Sequence, residues 1–155
     1  MIKRITGVNE AVSTTEWLDL KQLADVDVTS EQPASPIEGV FVRDAPAPWR
    51  AAVPGVQTIR LRFRHPVRLR HIRLVFEETA VMRTQEFVLR WQTVGAPQDV
   101  DILRQQFTFA PPDTTTEREH YRVDLDEVSA LELSITPHIG GGHSIATLQQ
   151  FCVAA

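Results

Sequence analysis

Residues 59–63 read Ile-Arg-Leu-Arg-Phe, and residues 67–70 repeat the pattern as Val-Arg-Leu-Arg. Apolar and charged side chains alternate at every position of both runs. Because successive side chains of a β-strand point to opposite faces, each run has one apolar face and one arginine face. This is typical of a half-buried antiparallel strand. The alternation changes phase near His71 and Ile72, which predicts a β-bulge there or a strand buried on both faces.

Similar alternation recurs along most of the chain. Four further runs occupy residues 26–28, 87–91, 121–125 and 131–135. Clusters of glycine, proline, aspartate and threonine separate these runs, as expected of turns. Only residues 16–24 have a helical pattern, with Thr14 or Thr15 as the cap. The sequence therefore predicts an all-β, antiparallel sandwich or barrel of about eight strands, with one short N-terminal helix.

Length and composition indicate a single packed domain. The 155 residues contain no composition break, repeat or low-complexity linker, so we expect one domain over residues 1–155 with its core at about 20–153. Apolar residues make up 43% of the chain, which is enough for a core and argues against disorder.

The first residues and the cysteine content bear on location. Residues 1–9 include Lys3 and Arg4 but no apolar run after them, so we expect no secretory signal. No stretch approaches the roughly 20 apolar residues of a membrane span. The single cysteine, Cys152, cannot form an internal disulfide, which suits a reducing compartment. We therefore expect a cytoplasmic protein with no membrane partner.

Charge is unevenly distributed along the chain. The net charge is −4, only two of the 16 basic residues are lysines, and six arginines lie between residues 60 and 73. The planar arginine fork suits carboxylates, phosphates and vicinal hydroxyls. Two readings stay open: these arginines form a solvated face that is paired across strands, or they contact a partner.

Five short motifs follow one another in a recognisable order. They are residues 23–30 (Leu-Ala-Asp-Val-Asp-Val-Thr-Ser), 36–39 (Pro-Ile-Glu-Gly) with Trp49 after it, 57–61, 67–75 and 146–153. In this order they resemble the opening strand, the Ala-Ile-Asp-Gly turn, two central strands and the closing strand of the discoidin, or coagulation-factor type C, family. The resemblance implies a galactose-binding-like jelly-roll β-sandwich that works as a non-catalytic binding module for a carbohydrate or small polyol.

A second resemblance is local. Residues 49–59, Trp-Arg-Ala-Ala-Val-Pro-Gly-Val-Gln-Thr-Ile, are similar to a segment in the N-terminal domain of the X-ray repair scaffold protein. That domain has the same jelly roll and is associated with DNA breaks. It suggests DNA binding by a set of arginines, namely Arg60, Arg62, Arg64, Arg68 and Arg70. The net charge of −4 argues against a nucleic-acid partner and ranks this hypothesis third.

No motif for catalysis or metal binding is recognisable. The nucleophile elbow, His-Glu-x-x-His and the Walker loop are absent from the sequence. Calcium-binding discoidin members have side-chain oxygens after the first turn, whereas residues 40–42 of this chain are Val-Phe-Val. His138 and His143 flank three glycines, but two histidines without a third ligand make a poor metal site. We expect no enzyme activity, no metal and no cofactor.

The loop of residues 77–85 is the main binding candidate, with Arg83 as its anchor. In fucose-binding lectins of this fold, an arginine at the matching position grips sugar hydroxyls, for which the guanidinium fork is suited. The histidine that those lectins add has no counterpart in residues 43–49. Two readings stay open for Arg83: it contacts a ligand, with Gln85 beside it, or it pairs with an acid. The acids within reach in the sequence are Glu77, Glu78 and Glu86.

Other polar and aromatic residues extend this candidate site. We expect Trp49, which lies among prolines and next to Arg50, to be partly exposed and to cover the apolar face of a sugar, a role that Phe107 also fits. Arg104 and Gln106 share one face of a strand, where they either extend the ligand site or form an inter-strand ladder. The candidate ligand-binding residues are Trp49, Arg50, Arg83, Gln85, Arg104 and Gln106.

The main alternative to glycan binding is a cytoplasmic protein–protein adaptor. Arginine and tryptophan are typical interface anchors, so either the arginine face or the Trp49 loop fits a protein partner. The sequence does not predict the oligomeric state.

Overall fold

The computed structural model describes residues 16–155, which contain two very short helices and eight strands. The helices are α1 (Leu20–Leu23) and a 3-10 helix (Ile37–Phe41). The strands are β1 (Ala24–Val28), β2 (Trp49–Arg50), β3 (Gln57–Glu77), β4 (Arg83–Thr93), β5 (Val100–Phe109), β6 (Thr116–Thr136), β7 (Thr147–Leu148) and β8 (Gln150–Ala154). The predicted strand number is confirmed. Neither helix of the described part is long and apolar enough to cross a membrane.

The strands are arranged around an antiparallel β3–β6 pair. The strand order is β1-β3-β6-β4-β5, β8 pairs with β3, and β2 forms a separate ribbon with β7. In β3, residues 57–62 pair with residues 130–135 of β6, and residues 71–77 pair with residues 116–122. Because β4 borders the second half of β6 while β8 borders the second half of β3, this one pair contributes to both layers of the sandwich.

The change of phase seen in the sequence near His71 is a real irregularity of β3. The register with β6 shifts between Leu69 and His71, and also between Arg62 and Val67. Such bulges bend a strand and increase its twist. Here they allow a 21-residue strand to pass from one layer to the other, and the predicted bulge is confirmed.

The core lies between the two layers and consists of the apolar side chains of the alternating runs. Fully buried members include Ile59, Leu61, Phe87, Leu89, Leu133 and Ile135. The rings of Phe76 and Phe87 stack across the interior at 5.2 Å between centroids. Burial of each such side chain stabilises the fold by about 1.5–3 kcal/mol. Cys152 is buried as well, and burial raises the pKa of its thiol.

The helix is shorter than the sequence pattern predicts, and the predicted span of residues 16–24 is wrong. Trp17 forms a bridge with Ala154, and the Leu18 amide donates to the Val153 carbonyl at 2.9 Å. These residues therefore extend the edge of β8, and the sheet takes the hydrogen bonds that a helix would need. The predicted caps, Thr14 and Thr15, lie outside the described residues.

Most of the arginine run is paired with acids across the outer face of the sandwich. Arg60 Nη1 donates to Asp99 Oδ2 at 2.6 Å. The other ion pairs are Arg62–Asp27, Arg64–Asp25 and Arg68–Asp124, at 2.7, 2.9 and 2.8 Å. Of the two readings of the arginine run, the structure has the face that is paired across strands at these four positions. They are four of the five arginines that were considered for DNA contact.

Candidate functional site

A cavity of about 410 Å³ with a mixed polar and apolar lining lies where β3 ends and β4 begins. Its walls come from three separate segments: β2, the β3–β4 loop and the segment before β7. The lining residues are Arg50, Glu78, Ala80, Val81, Met82, His143, Ser144 and Ile145. The loop of residues 77–85 and Arg50, which the sequence analysis singled out, therefore meet at one site.

Glu78 supplies the acceptor group of the cavity. Its Oε1 accepts from Arg83 Nε at 2.8 Å, and its Oε2 accepts from the Ala80 amide at 3.0 Å. Burial raises the pKa of this carboxyl, but the hydrogen bonds from Ala80 and Arg83 outweigh it and lower the pKa below its ordinary value. Glu78 is therefore an ionised acceptor in a fixed position.

Arg83 lies beneath the cavity and is fully buried, with a side-chain exposure of 0%. Its Nη1 donates to the Pro137 carbonyl at 2.8 Å and reaches Gln85 Oε1 at 3.4 Å, and its Nη2 donates to Thr147 Oγ1 at 3.3 Å. The guanidinium also lies over the Phe109 ring, 4.8 Å from its centroid. Of the two readings of Arg83, the structure has the ion pair with an acid, and that acid is Glu78.

Gln85 continues the buried chain away from the cavity. Its Nε2 donates to Glu117 Oε1 at 2.9 Å, and both side chains are almost fully buried. Glu117 Oε2 has no hydrogen-bond partner among residues 16–155. Burial and the nearby Glu119 carboxyl raise the pKa of Glu117 to about 7 against the lowering effect of Gln85. Gln85 therefore connects Arg83 to a carboxyl that is substantially protonated at neutral pH.

Arg50 is the exposed cation of the cavity. Its backbone is fixed, because its amide donates to the Ser35 carbonyl at 3.3 Å and its carbonyl accepts from the Gln32 amide at 2.9 Å. Its position in β2 is opposite Thr147 of β7. The guanidinium forms no ion pair or hydrogen bond with any residue of the described part. It is therefore held at the rim with its donors available.

The expected exposure of Trp49 is wrong. Its side chain is 0% exposed and belongs to the core, and its indole Nε1 donates to the Ser30 carbonyl at 3.0 Å. The neighbouring prolines do not lift the ring into solvent, since alternation in β2 points Trp49 inward and Arg50 outward. Phe107 is also partly buried and packs against Phe109 at 5.0 Å between centroids. Neither ring lines the cavity.

Arg104 and Gln106 lie outside the cavity on the exposed face of β5. Both bond to Glu86 on β4: Arg104 through an ion pair, and Gln106 through a hydrogen bond of 2.7 Å from its Nε2. This is the inter-strand ladder that the sequence analysis gave as one of two readings. The structure therefore brings Arg50, Arg83 and Gln85 to one end of the sandwich and leaves Arg104 and Gln106 on its side.

The apolar wall of the cavity was not identified from the sequence. Met82 is 74% exposed and Val81 is 51% exposed, and Ile145 completes this wall. His143, considered only as a poor metal ligand, also lines the cavity, whereas the ring of His138 accepts a hydrogen bond from the Thr84 amide at 3.1 Å. Exposed loop residues of this kind follow no strand periodicity, so the pattern carried no signal for them.

Two other cavities, each of about 340 Å³, lie near α1. One is lined by Trp17, Phe41 and Arg43 among others, and the other lies between α1 and β1. Neither rests on a buried ion pair like that of Arg83 and Glu78, so the cavity at the end of β3 is the better candidate for specific binding. Among residues 16–155, no three histidine, cysteine or acidic side chains gather in a metal-binding arrangement.

Comparison with known proteins identifies the fold. No protein-family model and no curated protein sequence matches the chain. Among solved structures, the family 32 carbohydrate-binding module of NanJ from C. perfringens, in complex with galactose, matches with a TM-score of 0.66 at 10% identity, over 91% of this chain and 99% of that one.

Two further structures give the same result. A second family 32 module from Clostridium perfringens, in complex with GalNAc-β-1,3-galactose, has a TM-score of 0.65 at 13% identity, covering 90% of this chain and all of that one. The C-terminal domain of a chitobiase from Bacteroides fragilis has a TM-score of 0.63 at 14% identity, covering 89% and 96%. The expected jelly-roll β-sandwich of the galactose-binding type is confirmed.

Proposed function

We propose that this chain is a non-catalytic carbohydrate-binding module whose ligand occupies the cavity between Arg50, Glu78 and Met82. The observation that carries the proposal is the pairing, in one cavity, of an exposed arginine with available donors and an ionised carboxylate held in place from below. The proposed ligand is a neutral sugar, and it has one or two rings, since a cavity of about 410 Å³ is at the small end of the range for ligand sites.

The chemistry of the cavity suits a sugar ring. A guanidinium donates two parallel hydrogen bonds to a pair of vicinal hydroxyl oxygens, and an ionised carboxylate accepts from hydroxyl groups. Arg50 and Glu78 supply these two functions. Met82 and Ile145 offer apolar surface to the C–H face of the ring, and methionine adapts its shape to an irregular partner. Arg83 and Gln85 act beneath, as positioning residues for Glu78.

The fold supports the proposal independently of the cavity. Two structures with the same fold were determined with galactose and with GalNAc-β-1,3-galactose. Because their sequences are only 10% and 13% identical to this chain, the likeness establishes architecture and leaves the ligand to be measured.

Isothermal titration and two-dimensional NMR with galactose, GalNAc-β-1,3-galactose and fucose provide the test. We expect binding by the wild type, with shifted amide signals in residues 78–82 and 143–145. Arg50→Ala should weaken binding at least about 10-fold, because loss of a hydrogen-bonded charged contact costs about 1.5–3 kcal/mol. Arg104→Ala is the matched control, since it removes an arginine from the side of the same sandwich and should change affinity by less than twofold.

Two results would contradict the proposal. One is that none of a broad panel of neutral sugars binds. The other is that Arg50→Ala and Arg104→Ala bind equally well, which would place the site elsewhere. The absence of enzyme activity is part of the proposal: incubation of the sugars with the protein should leave them unchanged by chromatography. A cytoplasmic location stays a prediction, which cell fractionation checks.

A further inference from the structure

The outer face of the layer formed by β8, the second half of β3 and the first half of β6 is basic. Its cross-strand pairs are His71 opposite Arg122 and Arg73 opposite His120, and Arg118 follows opposite Val75. We call this set the basic face; its members are His71, Arg73, Arg118, His120 and Arg122. Directly opposed basic side chains repel each other and destabilise a sheet unless acids lie between them.

Among the residues that the structure describes, no acid is paired with an arginine of the basic face. Within residues 16–155, none of Arg73, Arg118 and Arg122 forms an ion pair, whereas Arg60, Arg62, Arg64, Arg68, Arg83, Arg90 and Arg104 all do. Glu117 and Glu119 alternate with the members of the face along β6 and so belong to the opposite face of the strand, and the next carboxylates lie at its ends. Asp124 is already bonded to Arg68 at 2.8 Å, and Glu77 lies opposite Thr116. Within residues 16–155, a chain of net charge −4 therefore has a cluster of cations without acid partners on one face.

Two histidines and a tryptophan lie within this face. His71 Nδ1 and His120 Nε2 are 3.1 Å apart, and the Trp17 ring lies 5.9 Å from the His120 ring. Partial burial, His71, Arg73 and Arg122 together lower the pKa of His120. An anion placed between these groups would relieve the repulsion and favour the protonated imidazole. The half-buried indole adds an aromatic surface at the edge of the face.

We propose that the basic face binds an anionic polysaccharide, one that carries sulfate or carboxylate groups along the chain. Alternate residues on a strand are about 6.5–7 Å apart and neighbouring strands about 4.8 Å apart, so the cations of the face are regularly spaced. Arginine forks bond both oxygens of a carboxylate or sulfate, and the indole packs against a sugar ring. The members on β6, Arg118, His120 and Arg122, are exposed in a row, which fits an extended chain better than a single small anion.

Charge density favours a glycan over nucleic acid. Duplex DNA carries about one charge per 1.7 Å, so tight binding needs many simultaneous phosphate contacts. This face offers three arginines and a histidine pair on a chain that is acidic overall. The choice of a polysaccharide over an acidic protein rests on the proposed function. If the domain is a carbohydrate-binding module, it binds a neutral sugar in its end cavity and an anionic polysaccharide on its basic face.

Dextran and a lightly sulfated dextran sulfate, with fewer charges per unit length than DNA, form a matched pair of probes, because they share a backbone and differ in charge. Binding to the full chain is measured by titration calorimetry at low and moderate salt. Single-stranded DNA and poly-glutamate, at equal charge concentration, are the competing polyanions. We expect dextran sulfate to bind, dextran not to bind to this face, and both competitors to bind at least about 10-fold more weakly.

The variant Arg118→Gln/Arg122→Gln removes two exposed charges from the face and should lose at least about 10-fold in affinity for dextran sulfate. The matched control, Arg62→Gln/Arg64→Gln, removes the same charge from the paired face and should lose less than threefold. Affinity should also rise as the pH falls from about 7.5 to 5.5, with a matching upward shift of the His120 pKa in NMR, since sulfate groups do not titrate in this range.

The outcomes separate cleanly. Equal losses in the two double variants would overturn the proposal and indicate attraction by net charge only. Tighter binding of DNA or poly-glutamate than of dextran sulfate would assign the face to a different partner. If dextran sulfate does not bind even at low salt, the proposal is wrong. Arg50→Ala should leave dextran sulfate binding intact, so failure of the end cavity and failure of the basic face are distinguishable.

Discussion

At the scale of single residues, Arg83 brings a full charge into an environment with no solvent and meets there a carboxylate, a carbonyl and a hydroxyl. Two of its partners are distant in sequence: Pro137, which follows β6, and Thr147, which lies in β7. The guanidinium therefore connects the β3–β4 loop to both of these segments. The same bonds hold Glu78 where a ligand would meet it. Stability and the proposed binding at this end of the sandwich therefore depend on one side chain.

We expect Arg83→Met to destabilise the protein by about 3–5 kcal/mol, because it leaves the Glu78 carboxylate half-buried without its counter-charge. Urea unfolding followed by tryptophan fluorescence measures the change. Arg62→Met, on the exposed face, is the control and should leave the midpoint nearly unchanged. If the two variants unfold at the same urea concentration, the buried pair does not stabilise the fold in the manner inferred.

Glu117 makes stability depend on pH. Its pKa is raised from 4.5 to about 7 in the folded protein, so between these values the folded state holds a proton that the unfolded state has released. The stabilisation from this proton is present below about pH 4.5 and is lost as the pH rises to about 7, at up to about 1.4 kcal/mol per pH unit.

Glu117→Gln removes this titration while keeping the shape of the protonated carboxyl. Stability measured by urea unfolding between pH 5 and 8 should fall with pH less steeply for the variant than for the wild type, by about the slope given by one proton. The variant should also be the more stable of the two at pH 8. Parallel curves would mean that Glu117 is ionised throughout.

At the scale of elements, the strands were predictable and the loops were not. Residues 59–63 alternate so strictly that only a strand buries all their apolar side chains, and Ile59 and Leu61 are indeed buried. The phase change at His71 marked the bulge for the same reason. Residues 16–19 have a helical pattern, but the pattern contains nothing about β8, whose free edge takes their hydrogen bonds.

The residues of the candidate site also differ in how far the sequence could predict them. Arg83, with Gln85 beside it, was identified through the resemblance to fucose-binding lectins, and the structure buries both side chains at the start of β4. Trp49 was misjudged, since its surroundings in sequence are polar and proline-rich while its surroundings in space are the core. Met82 and Ile145 come together from segments more than 60 residues apart, and only the fold brings them to one cavity.

A close approach of backbone explains one more element. A Cβ on Gly39 would lie 2.6 Å from the Ala47 carbonyl oxygen, so the 3-10 helix and the proline-rich segment after it pack together only with glycine at this position. The glycine of the Pro-Ile-Glu-Gly motif is therefore required for packing of the turn.

At the scale of the whole molecule, the two layers differ in the charge of their outer faces while sharing two strands. The first half of β3 carries arginines that pair with acids of β1 and β6, whereas the second half, beyond the bulge, carries arginines that form no ion pair within residues 16–155. The end cavity and the basic face thus occupy different surfaces of a rigid sandwich. Because β3 and β6 run through both layers, each layer contains one half of the same two strands, and the two layers are connected through them.

This shared pair predicts that the sandwich unfolds as one unit. In hydrogen exchange followed by mass spectrometry, β3 and β6 should be the slowest elements, and both halves of each should exchange with the same free energy. The edge strands β1 and β5, each paired on one side within the described residues, should exchange sooner.

Leu133→Ala, in the β6 half that pairs with β4, removes a side chain that is 0% exposed and should lower the free energy of unfolding by about 2–5 kcal/mol. If the layers are coupled through β3 and β6, this variant should accelerate exchange in residues 116–122 as much as in residues 130–136, although the substitution lies in the second segment only. Acceleration confined to residues 130–136 and 57–62 would mean that the bulges in β3 separate two independent units.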